Sequence, residues 1–202
     1  MGFNVRLLGI FFCVLLIVSC LQVDTDIRLK RNGRVDAMLN YHLSADIADF
    51  GRGFGFEEPW CLPLSEKDFI QQSLRISGVT IKKYKFRSNP DGSSLISVKL
   101  QADSIMSLSS FLNLDMKVDE QDGNSTFTLR MPIDGDIRRK EGDLALQMRE
   151  SMGDASFLFR FRPAVRPHST TAGIISGHEA QLEIMMGDLL NGKMPSAWVV
   201  SW

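Results

Sequence analysis

Several sequence features that would indicate a particular function are scarce or absent in this chain. Its 23 basic and 24 acidic residues leave a formal net charge of −1, so there is no positive excess of the kind that binds nucleic acid. Beyond the first twenty residues, no apolar run approaches the roughly 20 residues that a transmembrane helix needs. The chain also contains no internal repeat and no low-complexity segment. These absences predict a globular domain with no nucleic-acid partner and no membrane-spanning helix of its own.

Catalytic and metal-binding motifs are missing as well. The segment 173–177 contains a serine between glycines but lacks the spacing of a Gly-x-Ser-x-Gly nucleophile elbow. The pair His178-Glu179 has no second histidine four residues on, which a zinc-binding helix requires. The acidic turn at 119–123 lacks the terminal glutamate of a calcium loop. We therefore predict that the protein is not an enzyme and that it has no metal site and no cofactor.

The first twenty residues carry the most specific signal in the sequence. A basic Arg6 precedes an apolar run from Leu7 to Ser19, and the small Ser19 stands directly before Cys20. A positive start, a short apolar core and a small residue at the cleavage site are typical of a secretory signal peptide. We predict a signal peptide over residues 1–19 and a single domain over residues 20–202.

The end of this segment, Ile17-Val18-Ser19-Cys20, resembles the lipobox of the bacterial lipoproteins. The resemblance implies cleavage before Cys20, a diacylglyceryl thioether on its sulfur, and acylation of the new amino group with chains such as palmitate. Each buried methylene contributes about 0.8 kcal/mol, so two or three chains anchor a protein stably where one does not. By the family's sorting rule, Leu21 in place of aspartate favours the outer membrane in cells with two membranes. An ordinary secretory signal with a chance cysteine, or an uncleaved N-terminal helix, are the alternatives.

Cysteine is too scarce for a disulfide framework. Once Cys13 is removed with the signal peptide and Cys20 is acylated, Cys61 stands alone and no intramolecular disulfide can form. Such an odd cysteine is buried, reactive or paired with another molecule. Cys61 follows a Gly- and Phe-rich stretch over residues 50–60, which neither follows a clear strand nor opens a helix. We interpret this stretch as a structural loop rather than as a phosphate or dinucleotide site.

Alternation of apolar and polar residues predicts strands arranged as hairpins. A break in that alternation at Lys82-Lys83 predicts a β-bulge. The hairpin turns are predicted at Asn32-Gly33, at Asn89-Pro90-Asp91-Gly92 and at Asp122-Gly123. The strands are predicted over residues 23–30, 35–43, 79–87, 95–101, 114–118, 127–131, 157–162, 170–176, 178–186 and 198–202.

Three short helices are predicted between these strands. Ser65 and Asp68 have the spacing of a capping box, and the inner stripe of that helix is predicted as Phe69, Ile70, Ser73, Leu74 and Ile76. Asp103 is predicted to cap a second helix that runs to Leu112, and residues 137–152 have a weaker helical pattern. The whole chain is thus predicted as an α+β domain with a hairpin-built, mainly antiparallel sheet and about three short helices.

Two sets of residues are candidates for binding. If the packing is partly open, five aromatic and flexible side chains would line an apolar pocket: Phe111, Met116, Phe127, Met131 and Phe159. The same residues also make an ordinary core. A basic set would contact anionic headgroups or a partner, although nearby acids favour a solvated face: Arg138, Arg139, Lys140, Arg160, Arg162, Arg166 and His168.

The start of the mature chain is also similar to the LppM-like group of lipoproteins. The similarity lies in a lipidated cysteine followed directly by the strand Val23–Lys30, the turn Asn32-Gly33 and a return strand ending near Tyr41. The segment Pro195-Ser196-Ala197-Trp198 is compatible with it. The resemblance implies a mixed α/β domain next to the anchor and, faintly, lipid or glycolipid binding, and it carries over no functional residue. The C-terminal membrane helix found in parts of that group is not present in this sequence.

The sequence therefore predicts a lipid-anchored, non-enzymatic lipoprotein of the cell envelope that binds an envelope component or supports assembly. Its first partner is the membrane, through the N-terminal acyl chains. The alternative is a carrier or binder of a lipid-like apolar ligand, which a persistent internal cavity would distinguish. A hydrolase is the third hypothesis and needs a cleft that joins a serine, a histidine and an acidic residue.

Overall fold

The computed structural model describes residues 21–45, 64–121, 123–131, 154–190 and 193–202. These residues form two mainly antiparallel sheets and three helices, which confirms the predicted α+β class. In chain order the elements are β1 (Leu21–Leu29), β2 (Val35–Leu43), α1 (Glu66–Arg75), β3 (Val79–Ser88), β4 (Ser94–Ala102), α2 (Ile105–Leu112), β5 (Asp115–Gln121), β6 (Asn124–Arg130), β7 (Ser156–Arg162), β8 (Ser169–Thr170), β9 (Ile174–Ser176), β10 (Glu179–Met185), α3 (Met186–Leu190) and β11 (Ala197–Ser201).

The larger sheet has β1 at its centre. Its seven strands follow the order β3-β4-β2-β1-β7-β10-β9, and the smaller sheet follows the order β5-β6-β11-β8. Strands β1 and β7 are parallel, with Gln22 opposite Ser156, whereas the other described pairs are antiparallel. This parallel pair was not predicted, because local alternation identifies a strand but carries no information about a partner more than a hundred residues away.

One face of the larger sheet is apolar across its central strands. In register, Val23 lies between Tyr41 and Phe157, and Ile27 lies between Ala37 and Phe161. This alternation follows from the two-residue period of a strand, which sends every second side chain to the same face. The face is called the inner face below, and the opposite, polar face is called the outer face.

Two different layers cover the inner face. Helices α1 and α2 cover the β2–β4 side, where the Phe69 ring lies 6.4 Å from Tyr41 and 6.4 Å from Phe111. The smaller sheet covers the β7 side, where Phe127 stacks on Phe161 with ring centroids 4.1 Å apart. Such aromatic pairs contribute about 0.5–1.5 kcal/mol beyond the area they bury. These two aromatic groups hold the layers together.

The buried Trp198 has its polar atom satisfied. Its ring meets Phe127 edge-on at 5.9 Å, and its Nε1 donates hydrogen bonds to Thr170 Oγ1 at 2.8 Å and to the Ala172 carbonyl at 3.1 Å. An indole N–H buried without an acceptor would be destabilising, so the short strand β8 is needed beside β11.

Helix α1 confirms the predicted capping box and only part of the predicted inner stripe, since Phe69 and Ile76 pack against the core but Ile70 and Leu74 do not. The Ser65 side chain accepts a hydrogen bond from the Asp68 N–H, and the Asp68 carboxylate accepts one from the Ser65 N–H. Phe69 is buried, whereas Leu74 is 81% exposed and Ile70 is 46% exposed. The inward position one turn after Phe69 is taken by Gln72, whose amide donates to the Phe111 carbonyl of α2.

Helix α2 begins one residue later than predicted. Ser104, not Asp103, is its cap, and its hydroxyl accepts a hydrogen bond from the Ser107 N–H at 3.1 Å. The Asp103 N–H donates to the Gly78 carbonyl at 2.8 Å, which joins this residue to the start of β3. The helix ends at Asn113, a left-handed residue with φ 52°.

Two further local predictions need correction. In the β1–β2 turn only Gly33 has positive φ, and Asn32 instead accepts a hydrogen bond from the Arg34 N–H through its side chain. The loop closes over Lys30–Arg34 rather than as a two-residue turn. The segment predicted as a strand to Met186 ends at Met185, and helix α3 follows it. The helix predicted over 137–152 lies outside the described residues.

Candidate functional site

The predicted acylation site adjoins the central strand of the larger sheet. Cys20 and the predicted signal peptide lie outside the described residues, and the described part of β1 starts at Leu21, whose side chain is buried. Leu21 pairs with Leu43 of β2, which in turn pairs with Ser94 of β4. An acyl chain on Cys20 would thus be joined to the rigid middle of the sheet, with no linker between them.

The register defines which other residues lie at this end of the sheet, called the anchor end below. Besides Leu21, it contains the row Ser88, Ser94, Leu43, Ser156 and Met185. The turn Lys30–Arg34 lies at the opposite end of β1, about 30 Å away at roughly 3.3 Å per residue. None of the helices in the described ranges is long and apolar enough to cross a membrane.

The outer face of β1, β7 and β10 carries a network of ion pairs. The Arg162 guanidinium donates to Glu179 at 2.6 Å and lies 3.3 Å from Asp26. Arg160 lies 3.7 Å from both Asp24 and Asp26. These strands bring the two arginines of the predicted basic set together, but each is matched by carboxylates. The structure thus favours the solvated charged face over a cationic site at this position.

The network shifts the ionisation of two of its members. Partial burial opposes ionisation of Glu179, but the hydrogen bonds from Arg162 and Gln181 outweigh it and lower the pKa of the carboxyl below its ordinary 4.5. The same hydrogen bond to Glu179 raises the pKa of Arg162. Both groups are therefore held in their charged forms, which suits a structural ion pair rather than a proton-transfer site.

A second group of charges on the outer face is not matched in this way. Lys83 and Lys85 of β3 and Lys99 of β4 surround a shallow hollow of about 210 Å³ with Met38 and Ser97. We call these five residues the lysine face. Sequence reading missed it, because its lysines come from two separate segments and the bulge at Ile81/Lys83 sets which β3 residues point outward. The predicted bulge itself is confirmed.

The five aromatic and methionine side chains proposed to line a pocket are all buried. Phe127 belongs to the cluster around Trp198 and Phe161, whereas Phe111 packs with Phe69 on the other side of the inner face. Met116, Met131 and Phe159 are at most 7% exposed. The structure thus distributes these residues over two parts of the core, and their role in ligand binding stays a prediction.

The remaining candidates fall into two groups. Cys61, the stretch 50–60 and Arg138-Arg139-Lys140 lie outside the described residues. His42 lies on the outer side of β2, His168 precedes β8, and His178 lies in the turn before β10. Within the part of the chain that the structure describes, no three His, Cys, Asp or Glu side chains are grouped to hold a metal ion.

Comparison with known proteins supports the fold. The sequence matches no protein-family model, and no curated protein is detectably similar to it. The fold is similar to the folded domain of Mycobacterium tuberculosis LppM solved by NMR, with a TM-score of 0.51 and 12% sequence identity. The match covers 90% of this chain and 88% of that one. The resemblance to the LppM-like group, first drawn from the start of the mature sequence, is therefore confirmed at the level of the fold.

Proposed function

We propose that this protein is a lipid-anchored, non-enzymatic lipoprotein of the cell envelope that binds an envelope component or supports assembly. In this proposal the chain is exported, cleaved before Cys20 and acylated there. Its acyl chains hold the domain at a membrane, which is the outer membrane in a cell that has two.

The observation that carries the proposal is the position of β1. A regular strand begins at Leu21, one residue after the lipobox cysteine, and it occupies the centre of the larger sheet. A signal peptide that stayed attached would join the apolar segment 7–19 almost directly to this strand. Cleavage before Cys20 would leave a single residue, the acylated cysteine, ahead of the described strand, which is compatible with the motif.

The same geometry supports a role in which the domain is held close to the membrane surface. Without a linker, the anchor end of the sheet lies next to the headgroups, and the loop Lys30–Arg34 lies about 30 Å along β1 from that end. A partner embedded in the membrane would then meet the anchor end, and a partner in the surrounding compartment would meet the opposite end.

The test is substitution of the anchor cysteine in the native host. Cys20→Ala is expected to abolish incorporation of a labelled fatty acid and to release the protein from the membrane fraction or leave it as an uncleaved precursor. Cys61→Ala is the matched control and is expected to keep both acylation and membrane association. Full acyl labelling and unchanged membrane retention in Cys20→Ala would refute the proposal.

A further inference from the structure

The lysine face carries positive charge that is not paired with any carboxylate in the described part of the chain. Among the residues that the structure describes, Lys83, Lys85 and Lys99 are exposed and take part in no ion pair. The nearby carboxylate of Asp36 is already bound to Lys30 at 2.7 Å. The arginines of β7, on the same outer face, are by contrast matched by three carboxylates.

The arrangement of these lysines is unfavourable for the isolated domain. Lys83 lies directly opposite Lys99 in the β3–β4 ladder, and Lys85 lies opposite Ser97 two residues along. Like charges directly across two strands destabilise a sheet. An anion bound between the strands would remove this repulsion, because each lysine offers three donors and a full positive charge.

Protection of a sheet edge does not account for the whole cluster. Strand β3 is an edge strand, and lysines on edge strands prevent pairing with other chains. Lys99, however, lies on β4, whose two sides are both paired. The hollow between the strands has Met38 of β2 in its lining, so it extends inward from the edge.

The position of the lysines relative to the proposed anchor favours the lipid headgroups of the membrane as the source of the anion. Lys85 is level with Asp24 and Lys83 is level with Asp26, so they lie about 10 Å and 17 Å from the anchor end. Arg87, on the same face and exposed, lies closer still. Strand β3 is three strands from β1, about 14 Å across the sheet. An anchored domain that tilts its outer face towards the bilayer brings all four cations to the headgroups.

We propose that the lysine face binds the anionic phosphate headgroups of the membrane that carries the anchor, and so fixes the orientation of the domain on that membrane. The inference rests on the proposed lipid anchor. The acyl chains supply attachment, and the lysines add an electrostatic attraction that acts within a Debye length of about 8 Å.

The test compares lysine reactivity on two kinds of vesicle. The mature acylated protein is reconstituted into vesicles of phosphatidylcholine alone or of phosphatidylcholine with phosphatidylglycerol, and acetylation by a membrane-impermeant reagent is followed at each lysine by peptide mass spectrometry. Lys83, Lys85 and Lys99 are expected to react about threefold more slowly on the anionic vesicles, with the difference removed by high salt. Lys67, exposed on α1 at the opposite side of the sheet, is the internal reference and is expected to react equally on both.

Amide hydrogen exchange tests the same contact between the lysine face and the membrane, and it does not depend on acetylation of the lysines. On anionic vesicles, amide hydrogen exchange in the peptide that covers β3 is expected to be slower than on neutral vesicles. The triple variant Lys83→Gln, Lys85→Gln, Lys99→Gln is expected to lose this difference, and Lys67→Gln is expected to keep it. All four positions are exposed, so their substitution leaves the core unchanged.

Three outcomes would overturn the proposal. The first is an equal acetylation rate of the three lysines on both kinds of vesicle, and the second is that Lys67 is slowed as much as they are. The third is that soluble polyphosphate slows acetylation of the three lysines whereas anionic vesicles do not, which would make a polymer, and not the membrane, the ligand of the lysine face. Failure of the anchor gives a different result, because a protein without acyl chains would not float with neutral vesicles at all.

Discussion

Tyr41 shows how far the core determines the chemistry of one residue. Its ring is buried between the sheet and Phe69, and this burial strongly raises the pKa of its phenol above the ordinary 10.0. The folded protein therefore keeps a proton that the unfolded chain loses as the pH rises past 10.0, so stability falls with increasing pH in that range.

This burial predicts an alkaline titration in which the two tyrosines of the chain behave differently. In Tyr84→Phe, the remaining Tyr41 is expected to form phenolate only together with loss of the near-ultraviolet circular dichroism. In Tyr41→Phe, the less buried Tyr84, whose pKa is also raised, is expected to ionise before the fold is lost. Reversible ionisation of Tyr41 at its ordinary pKa in a folded protein would contradict the packing described.

Two glycines near β9 are expected to differ in the stability that is lost when each is replaced by alanine. Both have positive φ, but an added Cβ at Gly173 would lie 1.9 Å from the Gln181 carbonyl oxygen, whereas Gly177 has nothing within 4 Å. Gly177→Ala is expected to cost about 1 kcal/mol from backbone strain alone. Gly173→Ala is expected to cost about 3 kcal/mol or more, since the backbone of β10 must also move. Urea unfolding measures both, and equal costs would contradict the close approach.

At the residue scale, the sequence predicted what depends on neighbours in the chain. The Ser65 cap and the bulge at Lys83 were found because both follow from local spacing. Asp103 was wrong as a cap because Ser104, the next residue, holds that position and its hydroxyl accepts a hydrogen bond from the Ser107 N–H; both residues are good caps, so local spacing does not choose between them. The lysine face was missed because it depends on the register between β3 and β4.

At the scale of elements, the packing of Phe127 in the aromatic cluster indicates a core residue rather than a residue that lines a pocket. Phe127 is fully buried, stacks on Phe161 and contacts Trp198. Phe127→Ala is therefore expected to cost about 3–5 kcal/mol, as for a large side chain removed from a packed core. Phe86→Ala, at a side chain that is 52% exposed, is the control and is expected to cost less than about 1 kcal/mol.

The measurement is denaturant unfolding of the three proteins under the same conditions. A loss of less than about 1 kcal/mol for Phe127→Ala, with the fold retained, would mean that the side chain borders open space. Such a result would favour the alternative of a carrier for an apolar ligand.

The presence of strands and helices was predicted better than the pairing of the strands. The hairpins β1–β2, β3–β4 and β5–β6 follow from turns between neighbouring segments, and the structure has all three. The parallel pair β1–β7 and the second sheet join segments far apart in sequence, so alternation alone did not predict them. The inner stripe of α1 was right at Phe69 but wrong at Leu74, which faces outward, because Gln72 faces α2 and bonds to it.

At the scale of the whole molecule, the lipobox-like motif directly precedes the central strand of the larger sheet. The proposed function puts the acyl chains on Cys20, and the fold places the next residue, Leu21, at the end of the central strand. If the proposed anchor is present, this combination brings the anchor end of the domain to the membrane. On the same outer face, the lysines of the lysine face have no ion-pair partner among the described residues, whereas the arginines of β7 are already paired with carboxylates.

The central claim is that the mature protein begins at an acylated Cys20. The most direct measurement is the intact mass of the protein extracted from the membranes of its native host. The account predicts the mass of residues 20–202 increased by one diacylglyceryl group, or by that group and one further acyl chain. The mass of an unmodified chain, whether the full 202 residues or a product cleaved at another position, would contradict it.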